Sequence, residues 1–147
     1  MKLNLAILAV LATAAAPAFA AGDATKGEAV FKTCQTCHMV ADGDGKMLAG
    51  KGAKIGPNLY GVFGRIAGSY AGFKYGDAMV AAGVGGLIWD EAHFVEYVQG
   101  PSAFLKKQNS NPAAVGKMAY KVKDAATAED VYAYLLQFSP DAPPPAN

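Results

Sequence analysis

The sequence is short of metal-ligating side chains. Its 147 residues include two cysteines and two histidines, and a zinc site would draw on about four such ligands. It also lacks an excess of either charge. With 13 basic and 12 acidic residues it carries no electrostatic footprint for nucleic acid. A membrane-spanning run is missing as well: the apolar stretch Leu5–Leu11 falls short of the roughly 20 residues that cross a bilayer.

That short stretch has a different meaning. Lys2 precedes it and Ala18-Phe19-Ala20 follows, the order of a secretory signal peptide with small residues before its cut. Cleavage is expected after Ala20, with export to the periplasm. The remaining length suits one domain, expected over residues 21–139, with a flexible proline-rich tail over 140–147.

Two cysteines in an exported chain ordinarily imply a disulfide. Here Cys34 and Cys37 are three apart and His38 follows at once. Cys-x-x-Cys-His is the attachment signature of c-type haem. On one helical turn the two thiols lie on the same side and can each form a thioether to a haem vinyl group. The next residue then points an imidazole at the porphyrin centre. A thioredoxin-like redox pair would require a βαβ pattern around the cysteines, and none is visible. The reading is therefore one haem c, attached through Cys34 and Cys37 and ligated by His38.

The second axial ligand decides between electron transfer and small-molecule chemistry. Met39 is too near the motif to reach the opposite haem face. Met47 and Met79 sit in segments without a distinguishing feature, where methionine usually fills core space. His93 shares a helical face with Trp89 and Tyr97, which leaves bis-histidine ligation as a minor alternative. Met118 lies in Val115–Tyr120, a loop between helical segments that could fold over the haem. Spacing makes Met118 the favourite without deciding the matter.

A resemblance adds to these readings. Gly22-Asp23 with Lys26-Gly27, Cys34–His38, Gly56–Leu59, Gly61–Arg65, Gly72–Tyr75, Trp89–Glu91, Glu96-Tyr97, Pro101 and Gly116–Met118 occur in an order that resembles class I c-type cytochromes. The bacterial cytochrome c2 and mitochondrial cytochrome c group is the nearest within that class. The longer segments at Ala41–Lys54 and Lys106–Val115 resemble the larger bacterial forms. The resemblance implies Met118 as the iron ligand, and His/Met ligation raises the reduction potential relative to two histidines. It implies that the Pro57 carbonyl accepts a hydrogen bond from His38 Nδ1, fixing the tautomer. It implies donors from Tyr75 and Trp89 to a haem propionate, with Arg65 close by, and a Tyr97 hydroxyl near the methionine sulfur. One position departs from the mitochondrial pattern: Gly116 stands where a threonine would supply a hydroxyl.

The implied fold is all-α, the cytochrome c fold, with about five helices and long loops around one haem. The residue pattern places helices at Ala24–Thr33 (capped by Asp23), Asp77–Ala82, Trp89–Gln99, Ser102–Lys107 and Thr127–Phe138 (capped by Thr127). Gly27 is expected to give the backbone room against Tyr134 where the first and last helices cross.

The implied function is a periplasmic single-electron carrier, not an enzyme. It would run from a cytochrome bc complex to a photosynthetic reaction centre or a terminal oxidase, docking transiently as a monomer. Lys32, Lys54, Lys106, Lys107, Lys117 and Lys121 are candidates for a rim around the haem edge, with Lys74 and Lys123 secondary. A respiratory cytochrome c of a non-photosynthetic bacterium is the alternative. A gas-binding or peroxidase-like haem protein is a third reading, disfavoured because the attachment motif lies near the N-terminus.

Overall fold

A computed structural model describes residues 22–142. The expected signal segment and its cleavage site lie outside the described residues, as do residues 143–147.

Among the described residues, five helices form the frame. The first, α1 (Ala24–Cys34), starts where the Asp23 carboxylate accepts the Thr25 and Lys26 N–H groups. It ends on Cys34, so the attachment motif begins on its last residue. A two-stranded antiparallel hairpin follows, β1 (Val40–Ala41) with β2 (Met47–Ala49). Its turn is built by the Asp42 carboxylate, which accepts from Asp44 N and Lys46 N at 3.1 and 2.9 Å.

Helices α2 (Asp77–Val84), α3 (Glu91–Gln99) and α4 (Pro101–Gln108) come next. Trp89, placed at the start of a helix by its spacing, lies before α3 instead. Asp90 is the cap there, extended and accepting the His93 N–H at 2.8 Å. α4 begins on Pro101, whose missing N–H costs nothing in a first turn.

The last helix is α5 (Ala125–Leu136). It starts earlier than the Thr127 cap would set. Asp124 is the cap and accepts the Thr127 N–H at 2.8 Å. Both residues are competent caps, and the carboxylate three positions upstream reaches the N–H that Thr127 presents. Asp130 therefore serves no capping box; its carboxylate accepts the Asp23 N–H at 2.7 Å, tying the start of α1 to the middle of α5.

α1 and α5 cross closely. A Cβ on Gly27 would sit 1.9 Å from the Asp130 carbonyl oxygen and 2.8 Å from Tyr134 Cβ, so only glycine fits. Phe31 and Tyr134 meet beside it with ring centroids 5.3 Å apart. Phe63 joins α3 to α5 through Phe94 at 5.2 Å and Tyr132 at 4.4 Å. The packed region continues past residue 139. Ser139 is buried and Ala142 lies against the core.

Candidate functional site

Between this frame and the loops lies a cavity of about 390 Å³. All nine site residues nominated from sequence line it: Cys34, Cys37, His38, Pro57, Arg65, Tyr75, Trp89, Tyr97 and Met118. They come from the end of α1, three loops and the face of α3.

Cys34 and Cys37 are separate thiols, and the Cys37 and His38 N–H groups both bond to the Cys34 carbonyl, at 3.0 and 2.9 Å. That single turn puts both sulfurs and the imidazole on the cavity wall. Burial pushes the Cys34 thiol up to about 11. A redox-active cysteine is recognised by the opposite shift, so Cys34 does not have the environment of an attacking thiolate.

His38 is fixed by two neighbours. Its Nδ1 is 2.9 Å from the Pro57 carbonyl. A carbonyl can only accept, so Nδ1 carries the proton and Nε2 keeps its lone pair for a metal. Burial lowers the imidazole pKa, opposed by the Pro57 bond, and this favours the neutral ligating form. Gly56 packs directly on the ring. A Cβ there would lie 2.3 Å from His38 Cε1. The sequence reading missed this role, although a glycine preceding the proline was its visible sign.

Of the other histidine and methionines among the described residues, only Met79 reaches the cavity. It lies on α2 and belongs to the buried core. Met47 is exposed on the hairpin. His93 is outside the lining. Its Nδ1 lies 2.9 Å from the Asp90 carboxylate and its ring stands edge-on to Phe104. Bis-histidine ligation finds no support in this placement.

The polar end of the cavity is rich in donors and poor in acceptors. Arg65 donates to the Asn58 carbonyl at 3.0 Å and to the Tyr60 carbonyl, and lies over the Tyr70 ring. It makes no ion pair among the described residues. Its guanidinium is half-buried, and desolvation lowers its pKa while the nearby Tyr75 phenol raises it. Trp89, almost fully buried, offers an indole N–H with no partner among the described residues. A half-buried cation and free donors beside a mostly apolar cavity fit a flat apolar group bearing carboxylates. With two thiols and a free imidazole nitrogen at the other wall, the donor set fits haem c.

Tyr97 lines the cavity between Trp89 and Phe104, at 5.0 and 5.6 Å between centroids. Burial pushes its phenol up to about 12, so it remains a neutral donor. Met118 comes from the loop before α5 and is half-buried against the core. That loop is tied on both sides. Lys117 Nζ donates to the Lys74 carbonyl at 3.0 Å, and Val122 N donates to the Val98 carbonyl at 2.8 Å.

The lysines nominated for a rim divide into two groups. Lys107 is paired with Glu96 at 2.8 Å, and Lys117 is held at the Lys74 carbonyl. Lys32, Lys54, Lys106 and Lys121 are exposed and make no ion pair among the described residues. At the mouth, Ile55 and Val115 line the cavity while remaining strongly exposed, 74% and 67%.

No family model matches the chain. Individual proteins do. Cytochrome c2 of Cereibacter sphaeroides is 52% identical over 90% of this chain and 92% of its own length. Cytochrome c-550 of Paracoccus versutus is 45% identical over 97% and 92%. Among solved structures, cytochrome c2 from Rhodobacter sphaeroides superposes with a TM-score of 0.79 at 50% identity, covering 84% of this chain and 99% of that one. Cytochrome c2 from Paracoccus denitrificans gives 0.78 at 44% identity, covering 82% and 99%. Sequence likeness across nearly the whole of both chains, a shared fold and a cavity shaped for the same group lead to one conclusion. The chain belongs to the cytochrome c2 group of class I c-type cytochromes, electron-transfer proteins carrying one haem c, attached here through Cys34 and Cys37.

Proposed function

We propose that this protein is a periplasmic carrier of single electrons from a cytochrome bc complex to a photosynthetic reaction centre or a terminal oxidase. The observation that carries the reading is one cavity lined by both His38 and Met118, whose loop is tied down on either side. The bound haem supplies a one-electron couple at its iron.

The chain's own residues do the rest. The Pro57 carbonyl holds the Nδ1 proton of His38, so Nε2 is presented as the ligand. Met118 would offer its thioether to the iron from the cavity wall, and a soft sulfur ligand would favour the reduced metal. With His38 and Met118 both held to the metal, an outside molecule would have to displace one of them to bind. Arg65, Tyr75 and Trp89 would donate to a propionate, and Tyr97, on the same wall as Met118, would be the hydroxyl available to the thioether. The apolar walls from Phe31, Val98 and Leu105 exclude water and keep reorganisation small.

Lys32, Lys54, Lys106 and Lys121 steer an acidic partner to the apolar mouth at Ile55 and Val115. Such steering raises the encounter rate more than the affinity, and salt weakens it. The test is flash-induced oxidation by purified reaction centres, oxidation by a terminal oxidase, and re-reduction by the bc complex, each at rising ionic strength. Fast turnover with the bc complex and one acceptor, slowing as salt rises, is the expected result. Failure with both acceptors would remove the shuttle, and a salt-independent rate would remove the lysine steering.

A further inference from the structure

Gly116, two residues before Met118, brings no side-chain donor or acceptor to the lid, but a hydroxyl reaches it from elsewhere. Ser102, the second residue of α4, accepts the Gly116 N–H on its Oγ at 3.0 Å. The anchor is firm. Pro101, Phe104 and Leu105 on the same helix are buried, and Asn109 at its end donates to the Ala78 carbonyl at 2.8 Å. Gly116 also lies flat on α4. A Cβ there would come within 3.3 Å of Leu105 Cδ1 and 3.4 Å of Pro101 Cβ. The chain between them turns back through Ser110, a non-glycine residue at φ 48°, and the buried Ala114. The longer segment after α4 thus folds out and returns to the start of the same helix, where Ser102 closes it.

We propose that Ser102 is the positioning residue of the lid: its hydroxyl holds Gly116 and so keeps the Met118 thioether in place against outside ligands. This rests on the reading of Met118 as axial ligand. An outside ligand needs the lid open, and the Ser102 bond exists only with the lid closed. Removing the bond shifts the population towards the open form by the bond's net worth.

The experiment is an imidazole titration of the ferric holoprotein, followed optically, for wild type, Ser102→Ala and Ser102→Thr. Ser102→Ala is expected to bind imidazole about fivefold more tightly, the effect of one ordinary hydrogen bond. Ser102→Thr keeps the hydroxyl and is expected to match wild type. Unchanged affinity in Ser102→Ala, or a Ser102→Thr that follows the alanine variant, would overturn the proposal. Should Ser102→Ala fail to fold, hydrogen exchange at the Gly116 amide of the unaltered protein decides. Protection supports the bond, and exchange as fast as an open loop overturns it. The two readings fail differently. A wild-type ferric spectrum without a thioether-to-iron charge-transfer band removes Met118 as ligand. A normal band with unmoved imidazole affinity removes Ser102 alone.

Discussion

The two sides of the molecule are held together by different means. On one side, α1 and α5 meet through Gly27, Phe31 and Tyr134, and each is capped by its own aspartate. Packing and local hydrogen bonds join those helices directly, although Phe31, Val131 and Leu135 also turn a face to the cavity. On the other side, residues 100–123 and the loop around Pro57 turn their apolar surfaces to the cavity. They are held by single bonds such as Ser102 to Gly116 and Lys117 to Lys74, and by the Val122 N–H to the Val98 carbonyl of α3. The frame is joined by direct helix-to-helix contacts. The lid is specified by what it closes over.

Removing the haem breaks this comparison most severely. An unfilled cavity of 390 Å³ at about 24 cal/mol per Å³ corresponds to on the order of 9 kcal/mol. That is as large as the entire stability of a typical domain. The Cys34→Ala/Cys37→Ala chain, purified without haem, is expected to lose most of its helical circular dichroism. Native-like helix content in that chain would show that the frame stands alone.

A smaller but still large effect is expected at the helix crossing. Gly27→Val forces side-chain atoms into the Asp130 carbonyl, and overpacking of this kind costs about 3 kcal/mol or more. Denaturant unfolding of the holoprotein reads it directly. Because the frame supports both sides, the midpoint should fall by the same amount for a haem probe and for circular dichroism.

The lid should respond in the reverse manner. Gly116→Ala asks Leu105 and Pro101 to yield by a few tenths of an ångström, with a global cost below about 1 kcal/mol. Its imidazole affinity should nevertheless rise, since the added methyl strains the closed lid against α4. A variant that loses stability without gaining imidazole affinity would blur the division between frame and lid.

The smallest effect concerns acid. Hydrogen bonds from the Lys26 N–H to Asp23 and from Thr127 to Asp124 hold both carboxylates below their ordinary range. The unfolded chain therefore binds these protons first as pH falls. Their contribution is complete above about pH 4 and is lost as pH drops through the folded values. Asp23→Asn and Asp124→Asn keep a capping acceptor. Their unfolding curves should show a shallower loss of stability as pH falls below about 4; an unchanged slope would assign the acid sensitivity elsewhere.

The frame was the more legible side. Helical spacing and an aspartate before Ala24 located α1 and its cap, and Val131, Tyr134 and Leu135 marked α5. The errors fell where two caps competed, as at Asp124 and Thr127, or where an extended cap residue followed an aromatic, as at Asp90 after Trp89. The hairpin at Val40–Ala49 was not visible, because strands of two and three residues carry no periodicity. The cavity was legible only at Cys34–His38, where chemistry dictates the spacing. Pro57, Arg65, Tyr75 and Met118 lie on loops with no period. Resemblance brought them together, and it could not reveal Gly56 against the imidazole or Ser102 under the lid.

The proposed site is closed, with His38 and Met118 both committed to iron, so that the protein passes electrons and takes an outside ligand only when the lid opens. The optical spectrum of the ferric holoprotein tests it most directly. A low-spin spectrum with a far-red thioether-to-iron charge-transfer band, lost in Met118→Ala, is the predicted result. A high-spin spectrum, or a band that survives in Met118→Ala, would contradict it.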